Sequence, residues 1–173
     1  MDWIINYSIS EYKKLSKETV ELFHHFINSF TDKIELSFPI DVVADEFLPK
    51  RAYSTDAGLD LFSLQDIVIH AQSSQLISTG VKIAIPKGYF GKVSSRSSLA
   101  IKNIEVGAGI IDSAYRGEIK VLLRNFGYTD FNVCKGNKIA QLIIQPCWIG
   151  PINVVDSLNE TVRGDGGFGS TGI

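Results

Sequence analysis

The chain has 173 residues, 45% of them hydrophobic and 21% charged, with a formal net charge of -2. This suits one globular domain with its own core and excludes a disordered, collagen-like or proline-rich chain. It also argues against a broad nucleic-acid binder, which needs a basic face, and no apolar run approaches the roughly 20 residues of a bilayer span.

In chain order, the first element is helical. Leu15, Leu22, Phe23, Phe26, Ile27 and Phe30 recur mostly at three- and four-residue steps, giving one apolar helix face, with Ser8 and Glu11 as a capping box and Thr31-Asp32 at the end. Residues 1–35 thus read as a helical extension. It packs on its own domain or docks a further subunit or protein. From residue 34 the period changes to two. Ile67–Ala71, Gln75–Thr79, Val81–Ile85, Ile119–Leu123 and Lys138–Ile144 are short, rich in β-branched residues and bounded by turn signals such as Pro86-Lys-Gly88 and Lys135-Gly-Asn137. Many short strands without intervening helices predict a mainly β domain over 36–157, a β-sandwich, jelly roll or barrel. Residues 158–173 carry five glycines between Arg163 and Ile173 and predict a flexible tail. With no basic leader segment at its start, the chain is expected to be intracellular and soluble, in cytoplasm or nucleus.

Three clusters carry candidate chemistry. The tail offers unhindered backbone amides, the Arg163 guanidinium, the Ser170 and Thr171 hydroxyls and the Phe168 ring, which together suit a phosphate and a base. It is not a P-loop, because no lysine precedes Ser-Thr. Gly91 to Ala100 sets Arg96 among four serines before a short helical turn, a grouping suited to an anion. Val106 to Glu118 predicts a hairpin with backbone accessible at Gly107 and Gly109. Asp112 follows two isoleucines at a strand end beside apolar walls, placed for general-base work. Each also reads as an ordinary turn or chain end. The weaker Ala57-Gly-Leu-Asp60 and Gly136–Gln141 read alone as turns entering strands. His24, His25 and His70 form no metal-ligand cluster, and Cys134 and Cys147 are expected to be buried small apolar residues.

Taken together and in order, these segments resemble the five motifs of the trimeric dUTPase family. Ala57–Leu61 resembles the first and Arg96–Ala100 the second. Gly109–Asp112 with Tyr115-Arg116-Gly117 resembles the third, Gly136–Gln141 the fourth and Arg163–Gly172 the fifth. The resemblance runs from about Leu36 to the C-terminus. It implies a jelly roll of dUTPase type, a homotrimer with shared sites, and Mg2+-assisted hydrolysis of dUTP to dUMP and pyrophosphate. That reaction limits uracil in DNA and supplies dUMP for thymidylate synthesis.

Carried over by residue, Asp112 would activate the water that attacks the α-phosphate. Ser97 would bond the α,β-bridging oxygen, while Arg96 and the Ser98 backbone bind the phosphate chain. The backbone of Gly107, Gly109, Ile110 and Ile111 would read uracil. Tyr115 would lie under the deoxyribose, and Gln141 would contact the phosphates. Arg163, Ser170 and Thr171 would hold the outer phosphates, with Gly169 among the substrate contacts and Phe168 stacked on the base. Asp60 would be at most an outer contact of the metal.

Two positions depart from the family pattern. Ser95 stands where proline usually precedes the arginine, which is expected to loosen the turn, and Ala114 stands where an acidic residue is common. Deoxycytidine triphosphate deaminases share the fold but carry a glutamate where Leu122 aligns, and leucine cannot move a proton. A nucleotide-sensing or protein-binding module, docking through the N-terminal helix, is the competing non-enzymatic reading.

Overall fold

The computed structural model describes residues 39–167 and 170. The expected N-terminal helix lies outside them, as do Phe168, Gly169 and Thr171. Ten strands are present: β1 Ile40–Val42, β2 Leu59–Phe62, β3 Ile67–Ile69, β4 Ser74–Ile83, β5 Tyr89–Ser94, β6 Ile104–Val106, β7 Ile110–Ile111, β8 Ile119–Asn125, β9 Phe131–Val133 and β10 Lys138–Pro146. A one-turn helix, α1, covers Ser97–Ala100, and a 3-10 turn covers Asp45–Phe47. All pairings are antiparallel. One sheet has the order β1-β4-β8-β6, a second β2-β10-β5-β7, and β3-β9 form a separate ribbon. This is the mainly β sandwich that the alternation predicts.

The period-two pattern decides what faces inward. Along β8, Ile119, Val121, Leu123 and Asn125 are buried while Lys120 and Arg124 are exposed. From the facing sheet come Leu59, Leu61, Val93, Ala140 and Leu142, and the ribbon adds Ile69 and Val133. The two strands expected at 75–79 and 81–85 are one strand. Gly80, at φ +70°, carries a bulge that shifts the β4–β8 register between Ser78 and Val81. The amide this frees is not wasted: Gly80 N–H donates to Glu118 Oε1 at 2.8 Å. Cys134 is exposed and Cys147 half-buried, contrary to expectation. Cys134 opens the tight turn in which Asn137 N–H returns to its carbonyl at 3.0 Å, so its side chain points away from the core.

Two polar groups secure the end of the sandwich next to the ribbon. Asp130 accepts from the Ala71 amide at 2.9 Å and pairs with His70 Nδ1 at 2.9 Å. The His70 hydrogen bond, then the Ala71 amide, holds its carboxyl below the ordinary value of 3.8. Asn125, 2% exposed, donates through Nδ2 to the carbonyls of Ile69 and Thr129 and accepts from the Gly127 amide. Asn125→Ala strands these groups, and denaturant melts should show a loss of about 2–3 kcal/mol.

Candidate active site

β10 is the organising strand, because its register gathers three separate stretches of sequence. Gln141 lies opposite Asp60 on β2 and opposite Ser94 on β5. Ser95 and Arg96 follow directly, and α1 then starts at Ser97. The result is a polar cleft of about 300 Å³ lined by Asp56, Gly58, Asp60, Arg96, Ser97, Ser98, Lys138 and Gln141, among others. Asp60 holds its cations in place: its two oxygens face Arg96 Nε at 3.2 Å and Lys138 Nζ at 2.7 Å. The Asp60 carboxylate is 13% exposed, so both ion pairs are partly shielded from water. Arg96 also donates to the Lys138 carbonyl at 3.2 Å, and Gln141 Nε2 donates to the Ser95 carbonyl at 3.1 Å. Gln141 packs so closely on Gly58 that a β-carbon there would collide with its amide.

Most of the other candidates line a second cleft of about 330 Å³, whereas Gly107 lies outside it, in an adjoining hollow of about 220 Å³ that shares Val93, Ala108, Gly109 and Ile110. Val93, Ala108, Gly109, Ile110, Ile111, Asp112 and Tyr115 contribute to the cleft, with Leu76, Glu118 and Lys120. Asp112 does sit at a strand end beside apolar walls. The expected hairpin at 106–118 does not form: β6 pairs with β8 in one sheet and β7 with β5 in the other. Residues 107–109 are therefore a crossover between sheets. The Gly107 amide donates to Leu122 at 2.8 Å, and the Gly109 carbonyl accepts from Val93 at 2.7 Å. Those two groups are already used, and among the described residues the Gly107 carbonyl and the Gly109 amide have no backbone partner. Tyr115 is set by a tight turn, its amide on the Asp112 carbonyl at 3.0 Å, and its hydroxyl donates to the Glu118 carbonyl at 3.0 Å. Its ring covers Gly117, where a side chain would strike it.

The two clefts share no lining residue. β5 connects them. Ile111 lies opposite Gly91, which puts Asp112 near the start of β5, while Arg96 lies beyond its end. Six residues of extended chain separate those points, roughly 20 Å. Arg163 lines neither cleft; its Nε donates to the Gly166 carbonyl at 2.9 Å within the tail, and the Ser170 amide donates to Gly167 at 3.0 Å. The sequence reading missed Lys138, Glu118 and Lys120. Lys138 begins a strand inside the fourth motif, and its role shows only once β10 is paired with β2.

The antiparallel jelly roll thus carries one cleft lined by cations and hydroxyls and one apolar cleft holding a carboxylate and a tyrosine. A family model described as dUTPase matches residues 45–172. The deoxyuridine 5'-triphosphate nucleotidohydrolase of Fowlpox virus (strain NVSL) is 48% identical over 130 residues, spanning 73% of this chain and 90% of its own length. That of Saccharomyces cerevisiae is 44% identical over 131 residues, spanning 75% and 89%. Among solved structures, a Staphylococcus bacteriophage 80alpha dUTPase mutant with dUpNHpp aligns at a TM-score of 0.75 and 27% identity, covering 80% of this chain and 99% of that one. A mutant dUTPase from phage phi11 of S. aureus, described with a structural Mg(II) ion, aligns at 0.67 and 26%, covering 72% and 99%. The chain belongs to the dUTPase family.

The crossover yields a direct test. A β-carbon at Gly109 would be driven into the Val93 carbonyl oxygen, which is backbone and cannot swing aside. Gly109→Ala should lower stability by about 1–3 kcal/mol in denaturant melts.

Proposed function

We propose that the protein hydrolyses dUTP to dUMP and pyrophosphate, thereby limiting uracil in DNA and supplying dUMP for thymidylate synthesis. The observation that carries this reading is the split of functional groups between two clefts of complementary chemistry. In the apolar cleft and the hollow adjoining it, the backbone of Gly107 to Ile111 reads the uracil edge. Tyr115, pinned by its hydroxyl, lies beneath the deoxyribose and leaves no room for a 2′-hydroxyl. Asp112 accepts the proton of the water that attacks the α-phosphate. In the polar cleft, Arg96 and the Ser98 backbone bind the phosphate chain, Ser97 bonds the α,β-bridging oxygen, and Gln141 contacts the phosphates. Lys138 adds a second cation. Phosphoryl transfer needs this positioning and charge neutralisation more than covalent help.

The donor set fits magnesium carried on the triphosphate rather than caged by protein. Among the described residues, no group of three or more His, Cys, Asp or Glu side chains could hold an ion, and both Asp60 oxygens already face cations. When bound, the ion neutralises charge on the phosphate oxygens. Asp60 is then no closer than an outer contact, and its main work is to orient Arg96 and Lys138.

Two clefts held apart on one chain fit sites that combine clefts from different copies, and the resemblance to trimeric dUTPases makes that assembly a homotrimer. The segment after β10 supports this: Trp148, Ile152, Val154 and Leu158 are all at least 85% exposed, an apolar surface suited to covering by another copy. Residues 158–173 serve as the lid, with Arg163, Gly169, Ser170 and Thr171 on the phosphates and Phe168 on uracil.

The decisive assay is pyrophosphate release with magnesium from dUTP beside dCTP, dTTP and UTP. Turnover of dUTP alone is expected, and Asp112→Asn should reduce kcat by about 10²–10⁴-fold. Ammonia from dCTP would instead favour the deaminase and show that Leu122 does not stand where the deaminases carry their glutamate. Tight dUTP binding without turnover would favour the sensing module. Tyr115→Ala should narrow the preference for dUTP over UTP, read as the ratio of their kcat/KM values.

A further inference from the structure

Ser95, which stands where proline is usual in the family, brings a hydroxyl that proline lacks. Its half-buried hydroxyl accepts the Val106 amide at 2.9 Å. β6 is an edge strand, bonded to β8 on one side only. The next amide along, at Gly107, faces β8 and donates to Leu122, so the Val106 amide points the other way, off the sheet. Ser95 Oγ meets it there. The same residue presents its carbonyl to Gln141 in the polar cleft and is joined to Arg96 by one peptide bond. Val106 in turn leads straight into the Gly107–Gly109 crossover.

We infer that Ser95 is a positioning residue for substrate binding: its hydroxyl ties the second motif to the strand that carries the nucleoside-reading crossover. This rests on the dUTPase reading above. A proline at this position has no hydroxyl to accept with, so the tie depends on the serine. The expected effect is on binding more than on the chemical step. Asp112 has a separate anchor, the β7–β5 pairing at Gly91 and Lys92, which does not pass through Ser95. The crossover has the Val93 bond and the Gly107 amide to hold it, and loses a third restraint without the hydroxyl. A loosened crossover weakens nucleoside contacts made alike in ground and transition states, which raises KM and leaves kcat.

The test compares wild type with Ser95→Ala and Ser95→Thr, using dUpNHpp affinity by calorimetry, steady-state dUTP kinetics, and hydrogen exchange of the Val106 amide. Ser95→Ala is expected to weaken dUpNHpp binding and raise KM by about fivefold, the worth of one neutral hydrogen bond. It should keep kcat within about twofold and speed Val106 exchange, and Ser95→Thr should restore all three. Unchanged affinity and KM in Ser95→Ala, even with a lowered melting temperature, would overturn the inference and leave Ser95 purely structural. So would a loss confined to kcat. If wild type neither binds dUpNHpp nor turns over dUTP, the proposed function itself fails, and this inference fails with it. If only the Ser95 variants match wild type, the function stands and the tie does not.

Discussion

The bond from the Val93 amide to the Gly109 carbonyl, 2.7 Å long, is the constraint on which the nucleoside half of the molecule depends. Gly107 still pairs within the first sheet, through Leu122, and Gly109 already pairs within the second. Three residues therefore carry the chain from one layer of the sandwich to the other. So short a passage is feasible only where one backbone can lie directly on another, and a β-carbon at Gly109 has no space because the Val93 carbonyl occupies it. A crossover in regular pairing would hide every backbone group. Here the change of sheet leaves the Gly107 carbonyl and the Gly109 amide without a backbone partner among the described residues.

The polar cleft depends on a different device. Asp60 is a partly buried carboxylate flanked by Arg96 and Lys138, and it serves placement more than stability, since partly buried ion pairs recover little net energy. Its value is that two long, flexible cations are already aimed into the cleft. Arg96 is fixed further by the Lys138 carbonyl, and Gln141 by the Ser95 carbonyl. On the proposed reading, a phosphate chain would meet donors that need little reordering. β5 joins the two devices as a spacer. Because it is an extended strand, it holds the carboxylate of Asp112 and the guanidinium of Arg96 of one chain apart.

How much was legible follows from what each signal encodes. Alternation in Ile119–Asn125 and Lys138–Pro146 shows which side chains face inward, so the mainly β class and the core were readable. The motif residues were readable as chemistry: a carboxylate after two isoleucines, an arginine among serines. Pairing partners were not. The segment around Gly107 looked like a hairpin because glycines and short strands are the local signs of one, yet β6 joins β8 and β7 joins β5. Gly80 looked like a break between strands and is a bulge within one, its amide taken by Glu118. The bond of the Ser95 hydroxyl was not readable either, because the Val106 amide that it accepts is eleven residues away and comes near only when β6 leaves its sheet edge open.

The sequence by itself thus determined the β character of the domain, its family resemblance and the types of group available for the chemistry. All of these are properties of residue identity and short-range period. Only the tertiary structure decided which of those groups meet. Periodicity assigns a side chain to a face, whereas register between strands distant in the chain assigns it a neighbour. That register sets Asp60 opposite Gln141 and sends Asp112 to the far end of β5, so that one chain carries two separate clefts.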